Sequence, residues 1–194
     1  MDLHFTPPAF RGKDRLIAAL DAAVGQGDAG AITRALQHTL RQAIHDPEIE
    51  LPSCVHQPLQ GRYARRELHR STTLGYSVIA MCWGPGQGTP LHDHDAMWCV
   101  EGVWRGDLQV TPYALLEQRG PRWRFAAQPV LYGETGSAGS LIPPHEYHTL
   151  RNASSEEIAV SVHVYQGPME RSTVFEPTGD GWYQARVHAL DSDA

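Results

Sequence analysis

Apolar side chains recur every three or four positions between residues 14 and 44, and beyond residue 62 they recur every second position within short runs. That change of period predicts helices followed by strands. In 14–24, Leu16, Leu20 and Val24 fall at steps of four, marking a short amphipathic helix that Gly25 and Gly27 break. Asp28 suits the N-cap of a second helix running through Ile44, with Ile32, Ala35, Leu36, Leu40, Ala43 and Ile44 on one face. Asp46-Pro47 ends it. Both helices are expected to cover the domain rather than to carry chemistry.

Strands are predicted at 63–68, 76–81, 98–104, 107–112, 123–126, 139–142 and 158–165, with 182–189 as a final edge strand. Gly84-Pro85, Gly106-Asp107, Gly120-Pro121 and Pro143-Pro144 keep each run short. Many short strands with turns at intervals near ten residues predict an all-β barrel or sandwich, the jelly roll included. The expected architecture is one domain, 1–194, with a helical N-terminal cover over 1–50 and a barrel over about 60–190. Within AVSVHVYQ, Ser161, His163 and Tyr165 face one way and Val160, Val162 and Val164 the other. The valines suit a packed interior. Water and a polar cavity both remain open for the other face.

Composition narrows this picture little. A chain of 194 residues can bury a core without staples, and its mean hydropathy of −0.38 leaves no apolar run near the roughly 18 residues of a membrane helix. The start, MDLHFTPPAF, lacks the basic residues and apolar stretch of a signal peptide. Cys54, Cys82 and Cys99 are too few for a disulfide scaffold, so a reducing, cytoplasmic location is expected. A net charge of −6 argues against a nucleic-acid partner. The basic cluster Arg62, Arg65, Arg66, His69 and Arg70 reads as a solvated face with one or two members turned inward.

The chemistry concentrates in residues 86–106, GQGTPLHDHDAMWCVEGVWRG. Read as a strand, this stretch points His92 and His94 to one side, half of a metal site for iron, copper, nickel or zinc. Its pattern, G-x5-H-x-H-x4-C-x6-G, resembles the first signature of the cupin superfamily, with Cys99 where most cupins carry a glutamate ligand. Later, PPHEYHTLRN resembles the end of the second cupin signature. Pro143, His148 and Asn152 fit it, while His145 stands at a glycine position and Ser137 where the first glycine belongs. His148 is therefore taken as the third ligand and His145 as a rim or surface residue. Three neutral imidazoles leave a divalent metal its full charge, which favours an anionic ligand such as a thiolate. Zinc in the same set could hold hydroxide for hydrolysis. The ligand set alone leaves both open.

Tyr63 and Arg65 form a further same-side pair, with Arg66 opposite. A guanidinium turned into a cavity suits a carboxylate through two parallel hydrogen bonds. Taken together, His92-x-His94-x4-Cys99, His148-x3-Asn152, Ser161-x-His163-x-Tyr165 and Tyr63-x-Arg65 resemble the cysteine dioxygenase family, non-haem iron enzymes of the cupin fold, over about residues 60–168. The resemblance implies that His92, His94 and His148 hold Fe(II) and that Arg65, helped by Tyr63, binds a substrate carboxylate. It places the Tyr165 hydroxyl beside a small thiol substrate and O2, with His163 and Ser161 in a hydrogen-bonded row behind it. Cys99 matches a cysteine that joins the tyrosine by a thioether in some members, and Trp83 a tryptophan behind the pocket. The implied reaction turns cysteine and O2 into cysteine sulfinic acid.

Arg66 stands where the family often has asparagine, which makes it the fallback for carboxylate binding. Arg65 and Cys99 together argue against the related branch that carries glutamine and glycine there and oxidises 3-mercaptopropionate. Arginine-type relatives that oxidise mercaptosuccinate, and a non-catalytic metal-binding cupin, are the rival readings.

Overall fold

Helix and strand follow the two periods of the chain. In the computed structural model, which describes residues 7–193, Lys13–Val24 form α1 and Ala29–Ile44 form α2. The signal-peptide reading rests partly on residues 1–6, which lie outside the described residues. Asp28 caps α2 as expected, its carboxylate accepting the Ala31 N–H at 2.9 Å, a bond that contributes about 1 kcal/mol. Leu16, Leu20, Leu36 and Leu40 are fully buried, each stabilising the fold by roughly 1.5–3 kcal/mol. A 3-10 turn, Ser53–His56, leads to the strands.

Eleven strands follow among the described residues: β1 Ala64–Arg70, β2 Ser77–Trp83, β3 Cys99–Arg105, β4 Leu108–Arg119, β5 Arg122–Ala127, β6 Leu131–Gly133, β7 Ala138–Leu141, β8 His148–Asn152, β9 Ala159–Tyr165, β10 Arg171–Pro177 and β11 Tyr183–Ala189. They form two antiparallel sheets, β1-β2-β9-β3-β7 and β10-β11-β5-β4-β6, with β8 also paired to β4. The expected β-barrel with its helical cover is the fold observed. No helix among the described residues is long and apolar enough to cross a membrane.

The centre of the first sheet is buried on both faces, with every residue of β2 and β9 buried. Val78, Ala80, Cys82, Val100, Val160, Val162 and Val164 pack outward under the helices. Ile79, Met81, Trp83, Cys99, Val103 and Tyr165 point the other way, into the barrel. The alternation of AVSVHVYQ is thus resolved: the valines meet the helices, and the polar row faces the interior.

Three strands escape the sequence reading. β6 is only three residues long, β8 (HTLRN) buries a histidine and an asparagine on either side of a single leucine, Leu150, and β10 has a mostly polar sequence. Strand β4 runs to Arg119 rather than stopping near 112, because the first turn after it is Gly120. One expectation is corrected. His92 and His94 do not lie on a regular strand but on an irregular segment before β3, tied by isolated bridges of His92 to His148 and Val174.

Candidate metal centre

The segment carrying the first two histidines is framed by Gly86 and Gly106, whose φ values of 68° and 75° lie in the left-handed region that glycine enters without cost. After His94 the chain passes through Asp95 and Ala96, also left-handed at φ 52° and 60°. Such residues persist only where neighbours hold them. Asp93 supplies one hold, accepting the N–H of Asp95 at 3.1 Å and of Thr173 at 2.8 Å. Asp95 supplies another through Arg171 at 2.7 Å.

His92, His94 and, from β8, His148 converge with candidate donor atoms all within 4.8 Å of one another. The set fits a divalent metal. Burial holds all three rings neutral, the form that ligates, and neighbouring imidazoles push His94 and His148 down further. The His92 Nδ1–H points at the Pro90 carbonyl (3.1 Å) and the His148 Nδ1–H at that of Glu146 (2.6 Å). A carbonyl only accepts, so both rings keep the Nε2 lone pair for an ion. His148 Nε2 and His94 Nδ1 are buried without a hydrogen-bond partner among the described residues.

His92 and His94 open onto a cavity of about 680 Å³ that Tyr63, Arg65, Met81, His163, Tyr165 and Met169 also line. Arg65 is buried and reaches the Met169 carbonyl at 2.5 Å and the Asp191 carbonyl at 3.4 Å, while its Nε–H is buried without a partner among the described residues. Arg66 points away, donating to the Gln57 carbonyl at 3.1 Å. His145 is exposed and is not among the residues lining the cavity. Tyr63 stacks on Trp83 with ring centroids 4.5 Å apart. Trp83 Nε1–H donates to Ser161 Oγ (2.9 Å), which lies 2.7 Å from His163 Nε2. Tyr165 lies parallel to His163 with centroids 6.0 Å apart and meets the edge of His94 at 5.3 Å. Burial, then the neighbouring Cys99, raises the Tyr165 hydroxyl well above its usual range, so it stays an O–H donor. Asn152 stands apart from the cavity, its amide donating to the carbonyls of Trp83, Gly84 and Glu157.

Two features lie outside the sequence reading. Glu101 is partly buried, with its Oε2 inaccessible and 3.5 Å from His163 Nδ1. Its signal was its position two residues after Cys99, hence on the same face. Residues 191–193 close one side of the cavity, where Asp193 binds the Arg62 guanidinium through both oxygens (2.9 and 2.5 Å) and accepts the Arg65 backbone N–H at 2.8 Å. No local pattern announces that contact.

A double-sheet antiparallel barrel with three histidines at its interior defines a cupin. Residues 60–178 match the family described as Cysteine dioxygenase type I, and the chain belongs to that family. It is 26% identical over 117 residues to Cysteine dioxygenase type 1 of Homo sapiens, covering 60% of this chain and 57% of that protein. For the namesake of Danio rerio the identity is 28% over 120 residues, with the same coverage. The chain thus spans little more than half the length of these relatives. An RmlC-like cupin of Desulfovibrio desulfuricans superimposes with a TM-score of 0.44 at 17% identity, over 63% of this chain and 99% of that one.

Proposed function

We propose that the protein is an iron-dependent thiol dioxygenase that converts L-cysteine and O2 into cysteine sulfinic acid. The observation that carries this reading is a carboxylate-free trio of neutral imidazoles, two of which line one cavity with a buried arginine, in a chain of the cysteine dioxygenase family. Ferrous iron, held by His92, His94 and His148, would supply the Lewis acidity that favours a thiolate and the redox partner that dioxygen chemistry needs. The balance is R–SH + O2 → R–SO2H. Both oxygens go to sulfur, so no separate reductant is required.

The chain's own residues bind and orient. Arg65 is held by carbonyls on one side and keeps its Nε–H for the substrate carboxylate, with Tyr63 stacked beside it on Trp83. Tyr165 offers a protonated hydroxyl to the reacting sulfur, positioned by the Ser161–His163 row. The other arginines lining the cavity are already paired, Arg62 with Asp193 and Arg186 with Glu176. That pairing favours a substrate with one carboxylate over mercaptosuccinate. Three free cysteines fit a reducing cytoplasm.

Oxygen uptake with Fe(II)-loaded protein across cysteine, 3-mercaptopropionate, mercaptosuccinate and cysteamine tests the reading. Cysteine should be consumed one for one with O2, and labelled dioxygen should place two heavy atoms in the product. Stoichiometric iron without thiol-dependent uptake would overturn it.

A further inference from the structure

A row in which Trp83 donates to Ser161 and Ser161 in turn to His163 has a direction, and that direction calls for an acceptor at its far end. Trp83 Nε1 can only donate, so Ser161 Oγ accepts from it at 2.9 Å. The serine's own proton is then free to go to His163 Nε2, 2.7 Å away. Burial pushes His163 down to about 3, so the ring is neutral. A neutral imidazole that accepts at Nε2 carries its proton on Nδ1. Two groups face that proton: Glu101 Oε2 at 3.5 Å and Cys99 Sγ at 3.9 Å. The carboxylate is the stronger acceptor, and Glu101 Oε2 is buried with no hydrogen-bond partner among the described residues.

The register makes this arrangement part of the sheet. Glu101 of β3 stands directly opposite His163 of β9, as Cys99 stands opposite Tyr165 and Val103 opposite Ser161. On the other side of Glu101, β7 presents only Gly139. The titratable groups around the carboxylate are therefore His163 and Tyr165 on β9 and Cys99 on its own strand, with Arg65 of β1 acting on His163 and Tyr165 across the cavity. Glu101 stands behind His163, away from the residues lining the cavity.

We propose that Glu101 is a positioning residue, its inward-facing carboxyl oxygen accepting a hydrogen bond from His163 Nδ1–H and so fixing the direction of the Trp83–Ser161–His163 row against which Tyr165 lies. Where it is ionised, its charge adds to burial in raising the Cys99 thiol and so helps to keep it protonated. The catalytic side of this assignment rests on the dioxygenase reading. The tautomer does not.

The test is nitrogen NMR of the His163 side chain in metal-free wild type, Glu101→Gln and Glu101→Leu. In wild type the ring should be the Nδ1–H tautomer, with shifts that pass through an inflection near pH 7, where the Glu101 carboxyl titrates. Glu101→Gln keeps an acceptor oxygen and should keep the tautomer but lose the inflection; Glu101→Leu should lose the tautomer. An Nε2–H ring in wild type, or the same inflection in Glu101→Gln, would overturn the proposal. Should Glu101→Leu fail to fold, the wild type and Glu101→Gln still decide it. With Fe(II) and cysteine, Glu101→Leu should lower kcat about tenfold at unchanged KM, and an unchanged kcat would remove the positioning role. If wild type shows no thiol-dependent oxygen uptake, the dioxygenase reading falls while the NMR result still stands on its own.

Discussion

Cys99 and Tyr165 are directly opposed across the antiparallel pair β3–β9, both on the face that looks into the barrel. Opposed side chains of such a pair begin about 4.5–5.5 Å apart at Cβ, within reach of one bond between sulfur and the phenol ring. Forming it breaks an S–H and a ring C–H and passes two electrons and two protons to dioxygen. Aerobic turnover with iron and cysteine should therefore yield a fraction of protein lighter by two hydrogens, with the two strands' peptides joined. Cys99→Ala should abolish that species, and its survival in the variant would place the modification elsewhere.

His94→Ala removes a donor whose Nδ1 is already buried without a partner. Iron affinity should fall by more than ~100-fold, since loss of a mere supporting contact to a ligand already costs about 10–100-fold. Metal analysis of anaerobically loaded protein reads the outcome. Retained stoichiometric iron would remove His94 from the ligand set.

Arg65→Gln should raise the KM for cysteine by roughly 100-fold, because losing one partner of a buried charged pair costs on the order of 2–5 kcal/mol. Arg66→Gln should leave KM within about twofold, as that side chain is directed at the Gln57 carbonyl outside the cavity. Initial-rate kinetics of both variants separates them. The reverse ranking would transfer carboxylate binding to Arg66.

Glu101 should leave its mark on stability as well. Burial raises its carboxyl from 4.5 to about 7, so between those values the folded protein holds a proton that the unfolded chain has released. Unfolding then releases a proton, and stability falls as pH rises through that window. The loss amounts to ~3 kcal/mol by pH 7 and is flat above it. His163, pushed down to about 3, acts in the opposite sense, costing stability as pH drops below its ordinary value of 6.5, but equally in wild type and Glu101→Gln. Denaturant titrations should show the advantage of Glu101→Gln growing with pH and levelling near neutrality. A constant difference would refute the burial effect.

Much of this was legible because periodicity reports burial directly. The capped α2, the two-faced β9 and the histidine spacing each follow from local sequence. What stayed hidden depends on pairing between distant segments. β8 buries His148 and Asn152 with only Leu150 between them, and so carries a weak apolar signal. The irregular path through His92 and His94 is set by bridges to His148 and Val174, and the contact of Asp193 with Arg62 and Arg65 spans the length of the barrel sequence. Tyr63 and Arg65 could be paired from alternation alone, but only the layer of helices decides which face of β1 looks inward.

The histidine triad joins parts of the chain that the sheets otherwise keep separate: His148 belongs to β8, paired to β4 in one sheet, while His92 and His94 lead into β3 of the other. An ion shared by them would act as a rivet through the barrel wall. At a free concentration one hundred times its Kd it would add about 2.7 kcal/mol against unfolding, and amide exchange should slow on both sheets together rather than around the histidines alone. Iron starvation would then shorten the protein's lifetime as well as silence it.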